Sequence, residues 1–380
     1  MARTLAPFHA ARTLPREAYV DPAVLAWERE HLFEGSWVCA GRAGAVARPR
    51  SQLATRVGAT GVLVVRDGDG ALRAFANICR HRGHEILPCG AATSRNTLVC
   101  PYHGWSFGLD GALRNAPRFG DRIERADDLD LVPLAVDTWG GWLFVNADGR
   151  AGTLAEHLGG LSGLVANWEC ERLVPGATHH YDLRANWKVG IENYHECYHC
   201  PLIHPELSRL SPPDSGDNVD DLPGRFVGGT MDLAAHAETM SLDGISRGVA
   251  LRGLTEAERR HVLYFNVFPN LLVSLHPDFV MTHRLEPVSA TTTSVECQWL
   301  FDPAAVADPA FDPAYAVDFW DLTNRQDWAA VESVQRGLDS RAYVPGVFGD
   351  HEDAVYHFQT MIASAYAGLP VARASVTRLG

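Results

Sequence analysis

Hydrophobic and polar positions alternate in a strand-like way through the first part of the chain, between residues 37 and 145. The β-rich run 61–66 ends at Asp67-Gly-Asp-Gly and is followed by a second apolar run at 71–76, which is the pattern of a β-hairpin. The run that begins at Trp105 repeats this pattern around a second Asp-Gly turn. These spacings predict a small antiparallel β domain.

After residue 148 apolar residues mostly recur at helical spacing, and longer strand-like apolar runs separate these helical segments. This mixture fits an antiparallel sheet with flanking helices, so the second region is predicted as α+β. Another helix is predicted over residues 14–36. The predicted domains are 37–148 for the β domain, and 1–36 together with 149–380 for the larger one. The predicted helices of the larger domain are 154–164, 187–200, 312–335 and 352–366, and its strands are 181–187, 265–275, 279–285 and 291–301.

The composition limits the classes of partner. The chain has 380 residues and a net charge of −13, which argues against a nucleic-acid surface or an anionic membrane surface. The sequence contains no apolar run of 18 or more residues and no signal-peptide pattern, so we expect no membrane span and a cytoplasmic location. Eight cysteines in such a chain indicate metal ligands or buried thiols rather than a disulfide framework.

A first group of candidate metal ligands lies in the β domain, at Cys79-Arg-His81 and Cys100-Pro-Tyr-His103. Two thiolates and two imidazoles suit a [2Fe–2S] cluster in which two histidines bind one iron. A Cys2His2 zinc site is the alternative, but zinc fingers usually pair Cys with Cys and His with His. His81 is preferred to His84, because Cys79-x-His81 mirrors the compact second pair.

A second group of candidate ligands begins at Glu196-Cys-Tyr-His199 and ends at His204. Two histidines near a carboxylate suit a mononuclear iron with open positions. Glu196 and His199 are predicted to share a helical face, and Pro201 is predicted to break the helix and bring His204 round to His199. The third ligand is predicted to be Asp353, although a carboxylate at the start of a helix is usually a surface residue that stabilises the helix dipole.

Two further sets of residues leave alternatives open. Cys197 and Cys200 form a C-x-x-C pair that could bind zinc or exchange electrons, but buried thiols are the preferred interpretation. Aromatic faces could bind a cationic substrate, although aromatic residues on strands more often belong to a core. The aromatic candidates are Tyr264, Phe265, Phe268 and Phe279.

These motifs resemble those of the alpha subunits of Rieske non-haem iron oxygenases. The resemblance covers nearly the whole chain, and it extends to Asn186-Trp-Lys, to Glu192-Asn-Tyr-His and to the segment from Arg325-Gln-Asp-Trp to Phe358-Gln, which looks like the part that carries the last ligand. It implies a helix-grip catalytic domain (START-like), a Rieske [2Fe–2S] cluster on Cys79, His81, Cys100 and His103, and Fe(II) on His199, His204 and Asp353. It also implies a homotrimer in which Glu196 links His199 to His103 of the adjacent chain.

The resemblance implies a terminal oxygenase that uses O2 and electrons from a separate NAD(P)H-dependent reductase of the flavin or ferredoxin type. Glu at position 196, where many members have Asp, is similar to the branch that oxidises carnitine, choline and glycine betaine. Hydroxylation or oxidative demethylation of a quaternary ammonium compound is therefore the first hypothesis. An aromatic ring-hydroxylating oxygenase, a Rieske electron-transfer protein and a zinc-stabilised binding protein are the alternatives.

Overall fold

The chain forms two compact units, and the first of them is discontinuous in sequence. The structure is a computed structural model that describes residues 1–120, 128–374 and 376. One unit comprises Met1–Ala26 and Ala155–Gly380, and the other comprises Trp27–Leu154. The β unit therefore begins ten residues before the predicted domain 37–148 and ends six residues after it.

Antiparallel strands build the described part of the unit Trp27–Leu154. One sheet has the order β1-β10-β9-β4-β3-β2-β5 and a smaller sheet has the order β6-β7-β8. The strands are β1 (Val38–Arg42), β2 (Ser51–Val57), β3 (Thr60–Arg66), β4 (Leu72–Ala76), β5 (Ala92–Ser94), β6 (Leu98–Val99), β7 (Ser106–Phe107), β8 (Leu113–Asn115), β9 (Pro133–Trp139) and β10 (Trp142–Asn146).

The hairpin of β3 and β4 forms where the sequence predicts it. Val62 pairs with Ala76 and Arg66 pairs with Leu72 in antiparallel register. The Asp67 carboxylate accepts hydrogen bonds from the backbone N–H groups of Asp69 and Ala71, at 3.0 and 2.8 Å. The side chain thereby satisfies backbone donors at the tip of the turn, which is why Asp favours this position.

A seven-stranded antiparallel sheet forms the centre of the discontinuous unit. Its order is β11-β17-β16-β15-β14-β13-β12, so the four strands from β14 to β17 follow one another as a meander. The inner face of this sheet packs against the helix Ala314–Leu338 through fully buried residues such as Phe279, Trp299 and Phe319. The strands are β11 (Val174–Leu183), β12 (Asp217–Asn218), β13 (Phe226–Asp232), β14 (His261–Val267), β15 (Leu271–Leu275), β16 (Phe279–Ser289) and β17 (Thr292–Phe301).

Helices come before, between and after the strands of this sheet along the chain, which confirms the α+β class. Two of them are long enough to organise the site, the 25-residue α9 and the 14-residue α10. The α-helices are α1 (Glu17–Val20), α2 (Pro22–Glu28), α3 (Leu154–Leu158), α4 (Leu161–Leu164), α5 (Trp187–Tyr194), α6 (Cys200–Ile203), α7 (Pro205–Leu210), α8 (Pro303–Val306), α9 (Ala314–Leu338) and α10 (Asp353–Tyr366). Among the described residues, no helix is both long enough and apolar enough to span a lipid bilayer.

The helix predicted over residues 187–200 is shorter in the structure. It begins at Trp187, where the Asn186 side chain accepts a hydrogen bond from the backbone N–H of Lys188, and it ends at Tyr194. Residues 195–199 are not helical, so Glu196 and His199 do not share a helical face. The predicted break at Pro201 is also wrong, because Pro201 lies in the first turn of α6, where proline is tolerated.

Candidate functional site

Two equivalent loops of the β unit carry the predicted cluster ligands, Cys79 and His81 on one and Cys100 and His103 on the other. In each loop the cysteine carbonyl accepts a hydrogen bond from a glycine four residues later, Gly83 at 2.9 Å and Gly104 at 3.1 Å. Both glycines have positive φ, 74° and 72°, which a residue with a side chain rarely adopts. The same backbone turn therefore presents His81 two residues after Cys79, and His103 three residues after Cys100.

The four side chains of these loops converge. The Cys79 and Cys100 side chains are buried, and burial together with the neighbouring Cys100 thiol raises the pKa of Cys79. The rings of His81 and His103 lie 4.6 Å apart between centroids, and His81 stacks on Trp105 at 5.0 Å. His81 Nδ1 is buried without a hydrogen-bond partner. Two adjacent thiols and an unsatisfied imidazole nitrogen are a donor set that fits a cluster with mixed Cys and His ligation. His84 instead turns its Nδ1 to the carbonyl of Glu85, at 2.6 Å.

The second site brings together His199, His204 and Asp327. His204 Nε2 lies 2.8 Å from Asp327 Oδ1, and His199 Nε2 lies 3.4 Å from the same oxygen and 3.2 Å from His204 Nε2. Neighbouring ligands of one ion at about 2.1 Å lie about 3 Å apart, so this spacing fits a shared metal. Two imidazoles and one carboxylate are the donor set of a non-haem Fe(II) site with open positions.

Asp353, the predicted third ligand, does not belong to this cluster. Among the described residues the group of potential metal ligands consists of His199, His204 and Asp327. The Asp353 carboxylate accepts a hydrogen bond from the Asn218 side chain at 2.7 Å and one from the backbone N–H of Ala354 at 3.1 Å. It thus sits at the start of α10 and satisfies a backbone donor there, but it is buried and so is not the surface residue of the alternative interpretation.

Asp327 is a residue that the sequence reasoning missed, although a signal for it exists. It lies four residues after the buried Thr323 and four residues before the buried Val331, so it occupies the inward face of α9. A carboxylate on the apolar stripe of an amphipathic helix is unusual unless it is paired or binds a metal. The segment Arg325-Gln-Asp-Trp that contains it is part of the resemblance, but the predicted ligand Asp353 lies on α10, whereas the carboxylate that meets the two histidines lies on α9.

Hydrogen bonds orient both imidazoles toward Asp327. His199 Nδ1 bonds to Glu196 Oε1 at 2.5 Å, and His204 Nδ1 bonds to Gln326 Oε1 at 2.7 Å. When Nδ1 donates, the Nε2 atom of each ring is left as the atom that faces the cluster. Metal-binding histidines commonly donate their other ring N–H in this way.

The charges of this site reinforce one another. Burial disfavours protonation of His199, but its bonds to Asp327 and Glu196 outweigh burial and raise its pKa to about 9. The pKa of His204 is also raised, because its bond to Asp327 outweighs burial. Burial opposes ionisation of Asp327, yet the two histidines lower its pKa. The cluster therefore behaves as a carboxylate that attracts positive charge, which a metal cation satisfies as well as protons do.

Cys197 and Cys200 form a disulfide that flanks His199. The prediction of two buried thiols is therefore wrong for this pair. Their Cα atoms are 4.9 Å apart, within the range that a disulfide requires. Cys200 Sγ lies 4.0 Å from His199 Nε2, so the disulfide is next to a candidate ligand atom.

A cavity of about 700 Å³ contains the cluster of His199, His204 and Asp327. Tyr194, Tyr264 and Trp320 are aromatic residues of its lining, and Asp353 also lines it. Of the four aromatic candidates from the sequence, Tyr264 lines the cavity. The other three, Phe265, Phe268 and Phe279, are fully buried in the core.

The comparisons with known proteins identify the class of protein. Residues 170–368 match the family model described as ring hydroxylating alpha subunit (catalytic domain), and residues 36–133 match that of the Rieske [2Fe-2S] domain. The chain belongs to the Rieske-type ring-hydroxylating alpha subunits, which are the oxygenase components of two-part enzymes. It is an O2-dependent oxidoreductase that takes electrons from a separate reductase and carries a Rieske [2Fe–2S] cluster and a mononuclear iron.

Individual relatives point to one branch of this family. The chain is 30% identical over 373 residues to the glycine betaine monooxygenase oxygenase subunit of Chromohalobacter salexigens, covering 88% of this chain and 81% of that protein. It is 29% identical over 376 residues to the carnitine monooxygenase oxygenase subunit of Escherichia coli, covering 94% of each. Among solved structures it resembles the quaternary ammonium Rieske monooxygenase CntA, with a TM-score of 0.81, 27% identity and coverage of 95% of this chain and 97% of that one.

Proposed function

We propose that this terminal oxygenase hydroxylates or oxidatively demethylates a quaternary ammonium compound. The observation that carries the proposal is the position of the His199, His204 and Asp327 cluster in a cavity that also presents aromatic and acidic side chains. Aromatic faces and carboxylates both attract an alkylated ammonium group. The relatives that act on glycine betaine and carnitine support the same substrate class.

The residues divide between the two metal centres. We assign the mononuclear iron to His199, His204 and Asp327, and the Rieske cluster to Cys79, His81, Cys100 and His103. The iron would supply activation of O2 when it is bound. The protein's own side chains would hold the substrate in the cavity and keep His199 and His204 oriented through Glu196 and Gln326.

We further propose a homotrimer in which each Rieske cluster serves the iron of an adjacent chain. Glu196 Oε1 bonds to His199 Nδ1, and its other oxygen accepts the backbone N–H of His199 at 3.1 Å, so this carboxylate is held rigidly beside the iron site. His103 is exposed, as it must be to reach a neighbouring chain. Glu196 would then bridge His199 and the partner subunit's His103, with electrons entering from an NAD(P)H-dependent reductase.

The test is substrate-dependent turnover of the reconstituted holoenzyme with a reductase. Trimethylammonium compounds should stimulate uptake of O2 and release of formaldehyde or of the corresponding aldehyde, and the tert-butyl carbon analogue of the best compound should not. Turnover of naphthalene or benzoate, with none of the ammonium compounds active, would favour the aromatic ring-hydroxylating alternative and contradict the proposal.

A further inference from the structure

The lining of the active-site cavity is rich in carboxylates. Three of them are enclosed, and they belong to Glu196, Asp327 and Asp353, whose neighbours are described above. Three others are exposed, Asp214 and Asp217 before β13 and Asp350 before α10. The exposed carboxylates come from two separate segments, one around the start of β12 and one before α10, so negative charge extends from the interior of the cavity to its solvent side.

Histidine is the only basic residue type among the described residues of the same lining, and His199 and His204 already face Asp327. Among the described residues that line the cavity, none is Lys or Arg. Its neutral hydrogen-bonding groups include the side chains of Asn193, Asn218, Thr230 and Thr323. Buried carboxylates of ligands are usually held by the forked donors of Arg or by Lys, because loss of hydration must be compensated by opposite charge. The lining offers no such donor to an anionic group.

An aromatic wall faces the same space. The rings of Tyr194 and Tyr264 are 5.9 Å apart, and those of Tyr264 and Trp320 are 6.3 Å apart, each pair edge to face. The Tyr194 hydroxyl donates to the carbonyl of Val273 at 3.0 Å, which fixes its ring. Burial raises the pKa of Tyr264, so its ring remains neutral and presents an uncharged π face. Neutral aromatic faces bind alkylammonium groups and have no favourable contact for a carboxylate.

We propose that the substrate is a monocation whose ammonium group is joined to a neutral remainder, and that it carries no carboxylate. The inference rests on the proposed function, and it narrows the substrate class further than the relatives do. A zwitterionic betaine would bring its carboxylate into a cavity lined by six carboxylates, of which Asp327 faces the iron site and Glu196 bonds to His199, with no Lys or Arg to receive it. An amino alcohol of the choline type, in contrast, would place a hydroxyl against neutral Asn and Thr side chains.

Matched substrates test the charge requirement. Choline and glycine betaine share the trimethylammonium group and differ in a hydroxymethyl group against a carboxylate, and γ-butyrobetaine can be compared with its methyl ester. We expect kcat/KM, measured by O2 uptake together with release of formaldehyde or of the corresponding aldehyde, to be at least about 100-fold higher for the monocation of each pair. Anaerobic calorimetry on the holoenzyme should show the same order in Kd, which separates binding from chemistry.

Variants of the exposed carboxylates test the origin of the preference. The triple variant Asp214→Asn, Asp217→Asn, Asp350→Asn should raise KM for the preferred monocation about tenfold and weaken its dependence on ionic strength. The matched control is Glu171→Gln, Glu256→Gln, Asp318→Asn, which removes three exposed charges that do not line the cavity. An equal effect of both triple variants would show a general charge effect and overturn the assignment to the cavity.

The outcomes separate the two levels of inference. Efficient turnover of glycine betaine and γ-butyrobetaine, equal to that of choline and the ester, would overturn the exclusion of carboxylates and leave the proposed function intact. Absence of turnover and of binding for every ammonium compound would overturn the proposed function itself. Equal binding of choline and its neutral analogue 3,3-dimethylbutanol would show that the positive charge is not recognised, and would also overturn the inference.

Discussion

Asp327 and Asp353 are two carboxylates that line one cavity and have different neighbours. Asp327 faces two imidazole nitrogens, whereas Asp353 bonds to Asn218 and to a backbone N–H. Each residue lies on a helix and is partly or fully shielded from solvent. Their difference in chemistry therefore comes from position and not from residue type or burial.

Replacing these two carboxylates one at a time distinguishes the carboxylate that binds the iron from the one that only lines the cavity. We expect Asp327→Asn to lower mononuclear iron occupancy at least about tenfold, because a neutral amide is a poor ligand for Fe(II). Asp353→Asn should keep that iron. Metal analysis after reconstitution, with the Rieske absorption spectrum as the internal control, measures both. Iron loss in Asp353→Asn together with full occupancy in Asp327→Asn would reverse the assignment.

Glu192 connects the N-terminal segment to α5. The Tyr19 hydroxyl donates to Glu192 Oε1 at 2.8 Å and accepts from Gln359 Nε2 at 3.2 Å. Burial raises the pKa of Glu192 to about 7, against an ordinary value of 4.5. Between these two pH values the native state holds more protons at this group than the unfolded state does. Its contribution to the free energy of unfolding therefore falls as pH rises through that range.

Glu192→Gln should remove this pH dependence. A glutamine side chain accepts a hydrogen bond from Tyr19 but does not ionise. The free energy of unfolding of the variant, relative to that of wild type, should therefore increase from pH 4.5 to pH 7 by on the order of 1–3 kcal/mol. Urea unfolding at pH 5 and pH 7.5 measures the difference, and the exposed Glu171→Gln is the control. A constant difference between wild type and variant at both pH values would contradict a shifted Glu192.

The sequence is sufficient to identify the two loops to which we assign the Rieske cluster, and it is insufficient to locate the carboxylate that meets His199 and His204. Cys79, His81, Cys100 and His103 are recognisable because both ligands of each pair lie within four residues. Asp327 lies 123 residues beyond His204, and a local pattern does not encode which distant helix packs over the site. The helical period of α9 still marks Asp327 as inward, so a search for acidic residues on apolar stripes would have found it.

At the level of elements, the segment from α5 to α6 shows where a helix ends without a proline or glycine to stop it. Residues 193–200 contain one strong helix former, Glu196, and otherwise residues of low helix propensity, so propensity weakens there without fixing the end at Tyr194. In the structure the Glu196 carboxylate bonds to the backbone N–H and to the ring of His199. A side chain that takes a backbone donor competes with the helical hydrogen-bond pattern, and the chain turns.

The same segment contains the disulfide of Cys197 and Cys200, and the state of these cysteines is measurable. We expect a tryptic peptide of residues 189–209 from denatured, unreduced protein to resist alkylation, and to accept two alkyl groups after reduction. The peptide 285–325, which contains the buried free Cys297, is the control and should be alkylated in both samples. Alkylation of both cysteines of the first peptide without reduction would contradict the disulfide.

At the scale of the whole molecule, the proposed trimer makes activity a property of neighbouring chains. His103→Ala should lack the cluster and His204→Ala should lack the iron, so each variant alone should be inactive. A mixed trimer contains two chains of one variant and one chain of the other. In both cases one intact cluster lies next to one intact iron site of the adjacent chain, in the direction in which electrons pass from cluster to iron. Activity per trimer should therefore recover to about a third of wild type.

Co-expression of the two variants with different affinity tags, followed by sequential purification, isolates the mixed assemblies. The control is co-expression of two differently tagged copies of the same variant, which yields trimers that contain that variant alone. Mixed trimers without activity, although both metal centres are present by spectrum and metal analysis, would show that electrons do not pass between chains.

The split of one compact unit into Met1–Ala26 and Ala155–Gly380 has a consequence for biosynthesis. A ribosome releases the intervening unit whole, so it can fold while translation continues. The first 26 residues must wait, since Leu14 and Tyr19 bond to Gln359, which is translated near the end. Folding is therefore expected to be sequential, with the unit Trp27–Leu154 formed before the cavity of the discontinuous unit is complete. A nascent chain stalled before α10 should contain a folded unit Trp27–Leu154 and an incomplete discontinuous unit.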